Sequence, residues 1–315
     1  MLKQQKIAVV IPAYNEEKLI GKTVNSLPEF VDHIVVVNDG STDQTARVLK
    51  ELNQHDQRLT ILTNDPNQGI GASLVKGFNR ALELPVDLVF VMAGDAQCDP
   101  NYLKPMVETL LDENLDYVKA NRFMHLDALT QMPTYRRIGN IIITLLTKFS
   151  TGYYSIFDSQ NGYGVFRRQT LERIRFDKLG TRYEYENALL LELSLANARI
   201  KDVAVPAIYG EETSTIPFFR TVWRALEVLW NGFWRRIYLK YILLNFHPVA
   251  LFLITGLSLS TIGILFGIYI TAQRIFYHLP PSTGTVMLAV LPLILGIQML
   301  LTALILDVAN EPGKN

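Results

Sequence analysis

Three polar segments of this chain hold residue types that could bind a ligand. Acids occur in the turn-forming stretches Asn38-Asp39-Gly-Ser-Thr-Asp43 and Gly94-Asp95-Ala-Gln97, and Asn67-Gln-Gly69-Ile-Gly71 opens a helical pattern. Carboxylates accept hydrogen bonds from polar ligands. Gly69 and Gly71 let the backbone approach closely at a helix start, which suits a phosphate-rich ligand. A lone Gly-x-Gly would prove little, so the prediction of a ligand site rests on the three segments together.

The elements that must position these segments alternate along the chain. Short apolar runs at 7–11, 34–37, 59–62 and 88–92 alternate with helical patterns at 16–27, where Asn15 is the expected cap, 44–52 and about 70–82. This alternation predicts an α/β fold, Rossmann-like, with a mostly parallel sheet and helices on both faces. Ligands of such open sheets bind at the carboxyl ends of the strands, where the polar segments fall.

The stretch from 116 to 217 is less regular. Helices are expected at 139–149 and near 183–198, between loops rich in arginine, tyrosine and asparagine. We interpret this stretch as the second half of the same domain, so that one domain spans residues 1–217.

Residues 218–241 predict an amphipathic helix at a membrane interface. Basic residues recur there at roughly helical spacing, and all three tryptophans of the chain lie in this segment. Such helices lie in the bilayer interface with cations towards the headgroups and rings at the acyl boundary. A helix packed on the domain with a solvated basic stripe is the alternative, and it stays open.

Two long uncharged runs predict a transmembrane hairpin. No Asp, Glu, Lys or Arg lies between Lys240 and Arg274, or between Arg274 and Asp307. The stretches 248–272 and 283–306 are each close to the roughly 20 residues that cross a bilayer. The hairpin is therefore expected to span 248–306.

The basic residues also predict an orientation. Arg235, Arg236 and Lys240 precede the first span, whereas the loop 273–282 holds a single arginine. The positive-inside rule then places the amino-terminal domain in the cytoplasm, and two spans return the tail 307–315 to that side. We expect a multi-pass protein of the cell membrane, with two spans and a cytoplasmic amino-terminal domain.

The composition excludes several other classes. Basic and acidic residues balance at 30 each, so no nucleic-acid partner is indicated. The single cysteine, Cys98, excludes an internal disulfide and fits a reducing compartment. The five histidines lack ligand spacing, which disfavours a zinc site. Residues 1–6 are polar and lack the apolar core of a signal peptide.

Four motifs together resemble a known family. Val10-Ile-Pro-Ala-Tyr-Asn-Glu-Glu17, Val37-Asn-Asp-Gly-Ser-Thr-Asp43, Asn67-Gln-Gly-Ile-Gly71 and Gly94-Asp-Ala-Gln97 occur in the order seen in inverting GT-A-fold glycosyltransferases of family two. Within that family the chain most resembles the membrane-anchored polyprenyl-phosphate (dolichyl- or undecaprenyl-phosphate) hexose synthases. The resemblance covers about residues 5–215, and the hairpin matches the membrane-anchored members. Each motif alone is a weak signal, but four in register are specific.

The resemblance implies a pocket for a nucleotide sugar, a UDP- or GDP-hexose. Asp39 would meet the base or ribose, and Gly69 and Gly71 would lie near the pyrophosphate. For Glu16, a structural role as a favourable first-turn carboxylate, contributing up to about 1 kcal/mol, stays open. The residues that would line the nucleotide pocket from the first strand are Pro12, Ala13, Tyr14 and Glu16.

The resemblance also implies a divalent cation, Mg²⁺ or Mn²⁺, held by Asp95 and Gln97. It would bridge the carboxylate and the two phosphates and act as a Lewis acid on the leaving nucleotide diphosphate. The sequence departs from the family here. Related mannose synthases carry Asp-Ala-Asp-x-Gln, whereas this chain has Ala93-Gly-Asp-Ala-Gln97, so the first carboxylate is missing.

On the acceptor side the resemblance points to three arginines. Arg122, Arg136 and Arg137 match positions at which these synthases hold the acceptor phosphate, and guanidinium groups suit phosphate oxygens. A lipid monophosphate is largely a dianion at neutral pH, so its oxygen attacks without a general base. Asp158 would then orient the arginines or the donor sugar. The candidate catalytic residues are Asp95, Arg122, Arg136 and Asp158.

The leading hypothesis is inverting transfer of a hexose from a nucleotide sugar to a polyprenyl phosphate at the cytoplasmic membrane face. Two alternatives stay open. In the first, the acceptor would be a hydroxyl of a lipid-linked glycan, with Asp158 as its general base. In the second, the alanine at position 93 would mark a weakly catalytic, nucleotide-binding membrane partner. The sequence leaves open which sugar and lipid are used and whether the chain forms a homo-oligomer.

Overall fold

The computed structural model describes residues 2–124, 134–206, 218–244 and 246–314, and for residues 134–137 and 218–222 it describes the backbone alone. The chain divides into two compact units. The first comprises Met1–Phe233 together with Pro312–Lys314, and the second comprises Trp234–Glu311.

The first unit is built on a seven-stranded sheet. Its strands are β1 (Ile7–Ala13), β2 (His33–Asp39), β3 (Leu59–Asn64), β4 (Leu88–Val91), β5 (Tyr117–Asn121), β6 (Gly164–Arg167) and β7 (Ile200–Ala204). They follow the order β3-β2-β1-β4-β6-β5-β7. Strand β6 runs antiparallel to both of its neighbours, and the other pairs are parallel. The predicted α/β fold with a mostly parallel sheet is confirmed.

Helices connect the strands of this unit. They are α1 (Ile20–Asn25), α2 (Thr45–His55), α3 (Ile70–Glu83), α4 (Leu103–Asp112), α5 (Thr134–Thr151), α6 (Arg168–Arg173), α7 (Tyr185–Leu195) and α8 (Phe218–Arg236). The helices predicted at 44–52 and about 70–82 correspond to α2 and α3, and those predicted at 139–149 and near 183–198 correspond to α5 and α7. The strands β5, β6 and β7 were not predicted from the irregular second half of the domain.

Both faces of the sheet are buried. In β1, Ile7, Val9 and Ile11 belong to one apolar cluster, and Ala8 and Val10 belong to another. The first cluster includes side chains of α1 and α4, and the second includes side chains of α3 and α7. Burial on both faces explains why the central strands are continuous apolar runs in the sequence.

The first helix begins later than predicted. Helix α1 starts at Ile20, and Asn15, its expected cap, lies in the preceding turn with a φ of 58°. The Asn15 side chain accepts a hydrogen bond from the backbone N–H of Thr42 (2.8 Å). Asn15 therefore joins the turns after β1 and β2 instead of capping a helix.

Helix α5 has a polar buried face and an apolar exposed face. Thr147 and Ser150 are buried, and the Ser150 hydroxyl donates a hydrogen bond to the carbonyl oxygen of Leu229 in α8 (2.8 Å). The two helices are thus packed together within the first unit. The apolar side chains on the opposite face of α5, each more than half exposed, are Ile138, Ile141, Ile142 and Leu145.

Helix α8 forms where the amphipathic helix was predicted. It carries two of the tryptophans on its exposed side, with Trp223 73% and Trp230 65% exposed. The helix is followed directly by a π-helix, Ile237–Leu243. Exposed indole rings fit a bilayer interface, and the interface location of α8 stays a prediction.

The second unit contains two long helices, α9 (Pro248–Tyr277) and α10 (Thr283–Ala309). Both are longer than the predicted spans, and both are long and apolar enough to cross a membrane. They pack closely at small residues, since a Cβ on Gly256 would lie 3.0 Å from the carbonyl oxygen of Gly296. Small residues let membrane helices approach at the backbone.

The second helix of the hairpin extends into the predicted tail. Asp307 lies within α10, is buried, and accepts two hydrogen bonds from the Arg236 guanidinium, at 2.7 Å and 2.8 Å. The hydroxyl of Tyr241 also donates to Asp307. Arg236 was counted among the cations that flank the first span, but it is fully buried in this ion pair. It therefore does not contribute a headgroup-facing charge to the orientation argument.

Candidate active site

The candidate site lies at the carboxyl ends of the central strands. Strand β1 pairs with β2 on one side and with β4 on the other. Asp39 is the last residue of β2, and Asp95 follows the end of β4. The two acids therefore belong to the same edge of the sheet and are separated by β1.

The turn after β1 is tied to the turn after β2. The backbone N–H of Asn15 donates to the Ser41 hydroxyl (3.0 Å), and the N–H of Glu16 donates to the Thr45 hydroxyl (2.8 Å). Each serine or threonine oxygen thus satisfies a backbone group that no regular element would satisfy. These bonds fix the backbone on which the expected nucleotide-binding residues lie.

Those residues differ in how far they can reach a ligand. Ala13 is buried, and Pro12 and Glu16 are half-buried, whereas Tyr14 is 48% exposed. Tyr14 and Glu16 are the two whose side chains offer both polar atoms and access. The contact of all four with a nucleotide stays a prediction.

Asp39 is buried and its carboxylate is engaged with protein. Oδ1 accepts hydrogen bonds from Asn64 Nδ2 (2.8 Å) and the backbone N–H of Gln68 (2.9 Å), and Oδ2 accepts from the N–H of Gly69 (2.8 Å). The side chain therefore holds the loop between β3 and α3 against the end of β2. This role differs from the expected contact with the base or ribose, which stays a prediction.

Gly69 and Gly71 do permit a close approach, but the partner is protein. Gly69 has a φ of 98°, and a Cβ there would lie 2.4 Å from the carbonyl oxygen of Thr181. A Cβ on Gly71 would lie 2.6 Å from the carbonyl oxygen of Gly180, and the Gly71 N–H donates to Thr181 O (2.9 Å). The start of α3 thus packs on the Gly180–Thr181 loop, and the two glycine amides donate to protein oxygens. The nearness of Gly69 and Gly71 to a pyrophosphate stays a prediction.

Asp95 lies in a tight turn beside the end of β4. Its Oδ1 accepts a hydrogen bond from the backbone N–H of Gln97 (3.0 Å), and Ala96 between them has a φ of 56°. A non-glycine residue in that region is strained, and such strain occurs often at functional sites. Burial raises the pKa of the Asp95 carboxyl above its usual value. Burial also raises the pKa of the neighbouring Cys98 thiol, to about 12, which disfavours the thiolate form.

The protein alone offers few ligands for a metal ion. Within the ranges that the structure describes, no three His, Cys, Asp or Glu residues are grouped as a metal site. Asp95 and Gln97 are close in space and bring a carboxylate and an amide to the same turn. Mg²⁺ commonly binds through one or two carboxylates together with substrate phosphates. The two residues therefore fit a divalent ion whose shell a nucleotide diphosphate would complete.

A second charged cluster lies at the ends of β5 and β6. Arg122 holds Asp158 in a two-pronged contact, with Nε–Oδ2 and Nη2–Oδ1 both at 2.8 Å, and its backbone N–H donates to Oδ2 (3.0 Å). Asp158 is 1% exposed, whereas the Arg122 side chain is 28% exposed. The buried acid therefore fixes the direction of a guanidinium whose side chain is partly exposed.

The charge state of Asp158 follows from this contact. Burial alone would raise the pKa of the Asp158 carboxyl, but the hydrogen bonds and the charge of Arg122, helped by Lys119, bring it below its usual value. A carboxylate with both oxygens engaged and a lowered pKa is a poor general base. Asp158 therefore orients the Arg122 guanidinium, and its role towards an acceptor stays a prediction.

The remaining two arginines lie at the start of α5. The backbone of Arg136 and Arg137 is helical, and their side chains lie outside the described atoms. Their contact with an acceptor phosphate stays a prediction.

Glu186 is a site candidate to which the sequence assigned no role. It lies in the first turn of α7 and is half-buried. Burial raises the pKa of its carboxyl to about 8, with Arg122 lowering it and Asp158 raising it. The sequence Arg182-Tyr-Glu-Tyr-Glu-Asn187 showed two acids, but only the fold reveals which of them faces the charged cluster.

Comparison with solved structures identifies the fold. The glucosyl-3-phosphoglycerate synthase from Mycobacterium tuberculosis, in complex with Mn²⁺, UDP-glucose and phosphoglyceric acid, matches with a TM-score of 0.55 and 18% sequence identity. The match covers 73% of this chain and 80% of that chain. The sheet and its helices are thus those of the GT-A fold.

Two relatives of known designation are similar in sequence. The UDP-N-acetylglucosamine–dolichyl-phosphate N-acetylglucosaminyltransferase of Methanococcus voltae is 28% identical, over 65% of this chain and 86% of its own length. The dolichol-phosphate mannosyltransferase of Pyrococcus furiosus is 25% identical, over 65% of this chain and 56% of its own length.

A GT-A sheet with its acids at the carboxyl ends of the strands is the scaffold of a glycosyltransferase. The family described as glycosyl transferase family 2 matches residues 8–175, just over half of the chain. The chain belongs to this family and is a glycosyltransferase.

Proposed function

We propose that the protein transfers a hexose from a nucleotide diphosphate sugar to a polyprenyl phosphate, with inversion at the anomeric carbon. The observation that carries this proposal is the contact between Arg122 and Asp158, in which a buried carboxylate holds a partly exposed guanidinium. Such a group suits the oxygens of a phosphate. The relatives from M. voltae and P. furiosus are both designated as acting on dolichyl phosphate, which supports the same class of acceptor.

The donor would bind at the carboxyl ends of β1, β2 and β4. Tyr14 and Glu16 would contact the nucleotide of a UDP- or GDP-hexose, and Asp39 would keep the loop before α3 in place. Asp95 and Gln97 would hold Mg²⁺ or Mn²⁺ against the diphosphate. When bound, that ion would neutralise the charge that develops on the leaving nucleotide diphosphate. The solved neighbour, which contains Mn²⁺, supports the use of a divalent ion.

The acceptor chemistry fits the charged cluster. A phosphate oxygen attacks the anomeric carbon, the bond to the nucleotide diphosphate breaks, and the diphosphate leaves with the electron pair. The attacking dianion carries no proton that must be removed. The lowered pKa of Asp158 therefore supports a phosphate acceptor over a sugar hydroxyl. Arg122 would position the phosphate, with Arg136 and Arg137 as further candidates.

The membrane part of the proposal rests on exposed apolar surface. The hairpin α9–α10 would span the membrane, and α8 would lie at its interface with Trp223 and Trp230 towards the lipid. Helix α5 packs on α8 through its buried polar face, and its exposed apolar face would meet the same interface. We place the first unit in the cytoplasm because Arg235 and Lys240 precede the first span.

Transfer assays with the purified full-length protein test this proposal. The protein would be incubated with UDP- and GDP-hexoses, a short polyprenyl phosphate or the matching polyprenol, and Mn²⁺ or a chelator. Mass spectrometry should detect a new lipid phosphosugar when both the polyprenyl phosphate and the divalent ion are present. No product is expected with the polyprenol or with the chelator. Product formed on the polyprenol, or on neither lipid, would contradict the proposal.

A matched pair of arginine variants tests the acceptor site. Arg122→Lys keeps the charge but loses the two-pronged geometry, so we expect a large rise in the KM for the polyprenyl phosphate. The control is Arg47→Lys, because Arg47 lies in α2 with 73% of its side chain exposed and pairs only with a neighbouring glutamate in the structure described. Equal kinetics of both variants would speak against Arg122 as the phosphate ligand.

A further inference from the structure

Lys119 is a lysine buried within the sheet. It lies in β5, is 1% exposed, and is paired by register with Gly164 of β6 and Asp202 of β7. A buried ammonium group is unfavourable unless its N–H groups find acceptors. An apolar side chain of the same length would fill the space without that penalty, so packing alone does not explain a lysine here.

The ammonium group binds one particular turn. Nζ donates to the carbonyl oxygens of Asp158 (2.7 Å), Phe157 (3.1 Å) and Ala120 (3.3 Å). Asp202 completes the arrangement, because its Oδ1 lies 3.6 Å from Nζ and its Oδ2 accepts a hydrogen bond from the N–H of Phe157 (2.6 Å). Lys119 therefore binds both carbonyl oxygens of the Phe157–Asp158 turn, and Asp202 binds the backbone N–H of Phe157.

This turn needs external support. Asp158 has a φ of 48°, which is an unfavourable backbone conformation for a residue with a side chain. The same residue carries the carboxylate that grips Arg122 through both of its oxygens. If the turn relaxes, the carboxylate moves and the guanidinium moves with it.

We propose that Lys119 is a positioning residue, whose buried ammonium group fixes the Phe157–Asp158 turn and thereby sets the direction of the Arg122 guanidinium. Lys119 does not touch substrate, because its side chain is enclosed. Asp202 is its counter-charge and the second support of the turn. The kinetic consequence rests on the proposed function, since it assumes that Arg122 binds the acceptor phosphate.

Two variants separate positioning from stability. Lys119→Met preserves the length of the side chain but leaves Asp202 buried without a cation, which destabilises the fold. Lys119→Met combined with Asp202→Asn removes both charges, and the amide oxygen at 202 can still accept from Phe157. We expect the double variant to recover thermal stability but still to bind the polyprenyl phosphate more weakly than the wild type.

The defect should fall on one substrate. In both variants we expect the KM for the polyprenyl phosphate to rise about tenfold or more, the effect of weakening one hydrogen bond to a charged group. The KM for the nucleotide sugar should stay close to that of the wild type. If the acceptor KM of the double variant returns to the wild-type value together with the stability, Lys119 is a structural residue only and the proposal is overturned.

A second readout does not depend on transfer activity. Phenylglyoxal modifies accessible guanidinium groups, and peptide mass spectrometry reports the rate at each arginine. Arg122 should react several-fold faster in both variants than in the wild type, because it is no longer held by Asp158, whereas the exposed Arg47 should react equally in all three proteins. An unchanged rate at Arg122 overturns the proposal. A wild-type protein that transfers nothing would refute the proposed function, and this readout would still decide the role of Lys119.

Discussion

Replacing Glu186 by glutamine should make the protein less sensitive to a rise in pH. Burial raises the pKa of the Glu186 carboxyl to about 8 from an ordinary value of 4.5. Between these two values the folded protein keeps a proton that the unfolded chain has released, so the wild-type protein loses stability as the pH rises from about 4.5 to 8. The Glu186→Gln variant has no such proton, and this part of its stability does not change with pH.

The size of the effect follows from the shift. Each pH unit inside this window changes the free energy of unfolding by up to about 1.4 kcal/mol, and the slope falls off near the folded pKa. Between pH 6 and pH 8 the free energy of unfolding of the wild type should therefore fall by about 2 kcal/mol relative to that of the variant. This is an upper value, because Glu186 is half-buried and keeps some contact with water. In a unit of this size it corresponds to a Tm gap that widens by roughly 4–8 °C.

Thermal unfolding of the full-length protein in detergent, followed at pH 6 and pH 8, measures this gap. Glu51→Gln is the control, because Glu51 lies in an exposed pair with Arg47 and should change the Tm little at either pH. A Tm gap for Glu186→Gln that is the same at both pH values, or that narrows towards pH 8, would refute the reasoning. It would mean that the carboxyl is already ionised in the folded protein.

Three further predictions follow from other contacts. Asp95→Asn should abolish the stimulation of transfer by Mn²⁺ while the Tm stays within a few degrees, and full stimulation in the variant would remove Asp95 from the metal site. Gly71→Ala should lower the Tm by an amount equivalent to about 1–3 kcal/mol, because its Cβ would lie 2.6 Å from the Gly180 carbonyl oxygen, and unchanged unfolding would contradict that contact. Arg236→Met should destabilise the second unit by about 3–5 kcal/mol, since the buried Asp307 carboxylate loses the guanidinium that neutralises it. Adding Asp307→Leu should restore most of that loss in a detergent unfolding assay, and a double variant as unstable as the single one would argue against the ion pair.

The central fold could be predicted because its signals are local. Strands β1, β2 and β4 are buried on both faces, so their sequences are continuous apolar runs, and the loops that follow them are polar. Helices α9 and α10 could also be predicted from local sequence, because each contains a long stretch without charged residues. Strands β5 and β7 escaped prediction because charged residues interrupt their apolar runs, and the ammonium group of Lys119 in β5 is satisfied only by a distant turn. Strand β6 escaped because it begins with a glycine and ends with an arginine.

The site was predicted in part. The motifs located the acids at the correct edge of the sheet, but they did not reveal how the carboxylate of Asp39 is used. That carboxylate binds Gln68 and Gly69, which lie about 30 residues later, and this pairing depends on the distance between two loops in the fold. Glu186 was not assigned for the same reason, since a pKa near 8 results from burial, which the sequence of a single helix turn does not encode.

The ion pair between Arg236 and Asp307 has a consequence for how the hairpin assembles. Asp307 is the single acid of α9 and α10, and its partner precedes it by 71 residues. During translation, Arg236 is therefore synthesised before the last turn of α10. A buried carboxylate is unfavourable without a cationic partner. The single acid of the two helices is thus neutralised only when the end of α8 and the last turn of α10 come together.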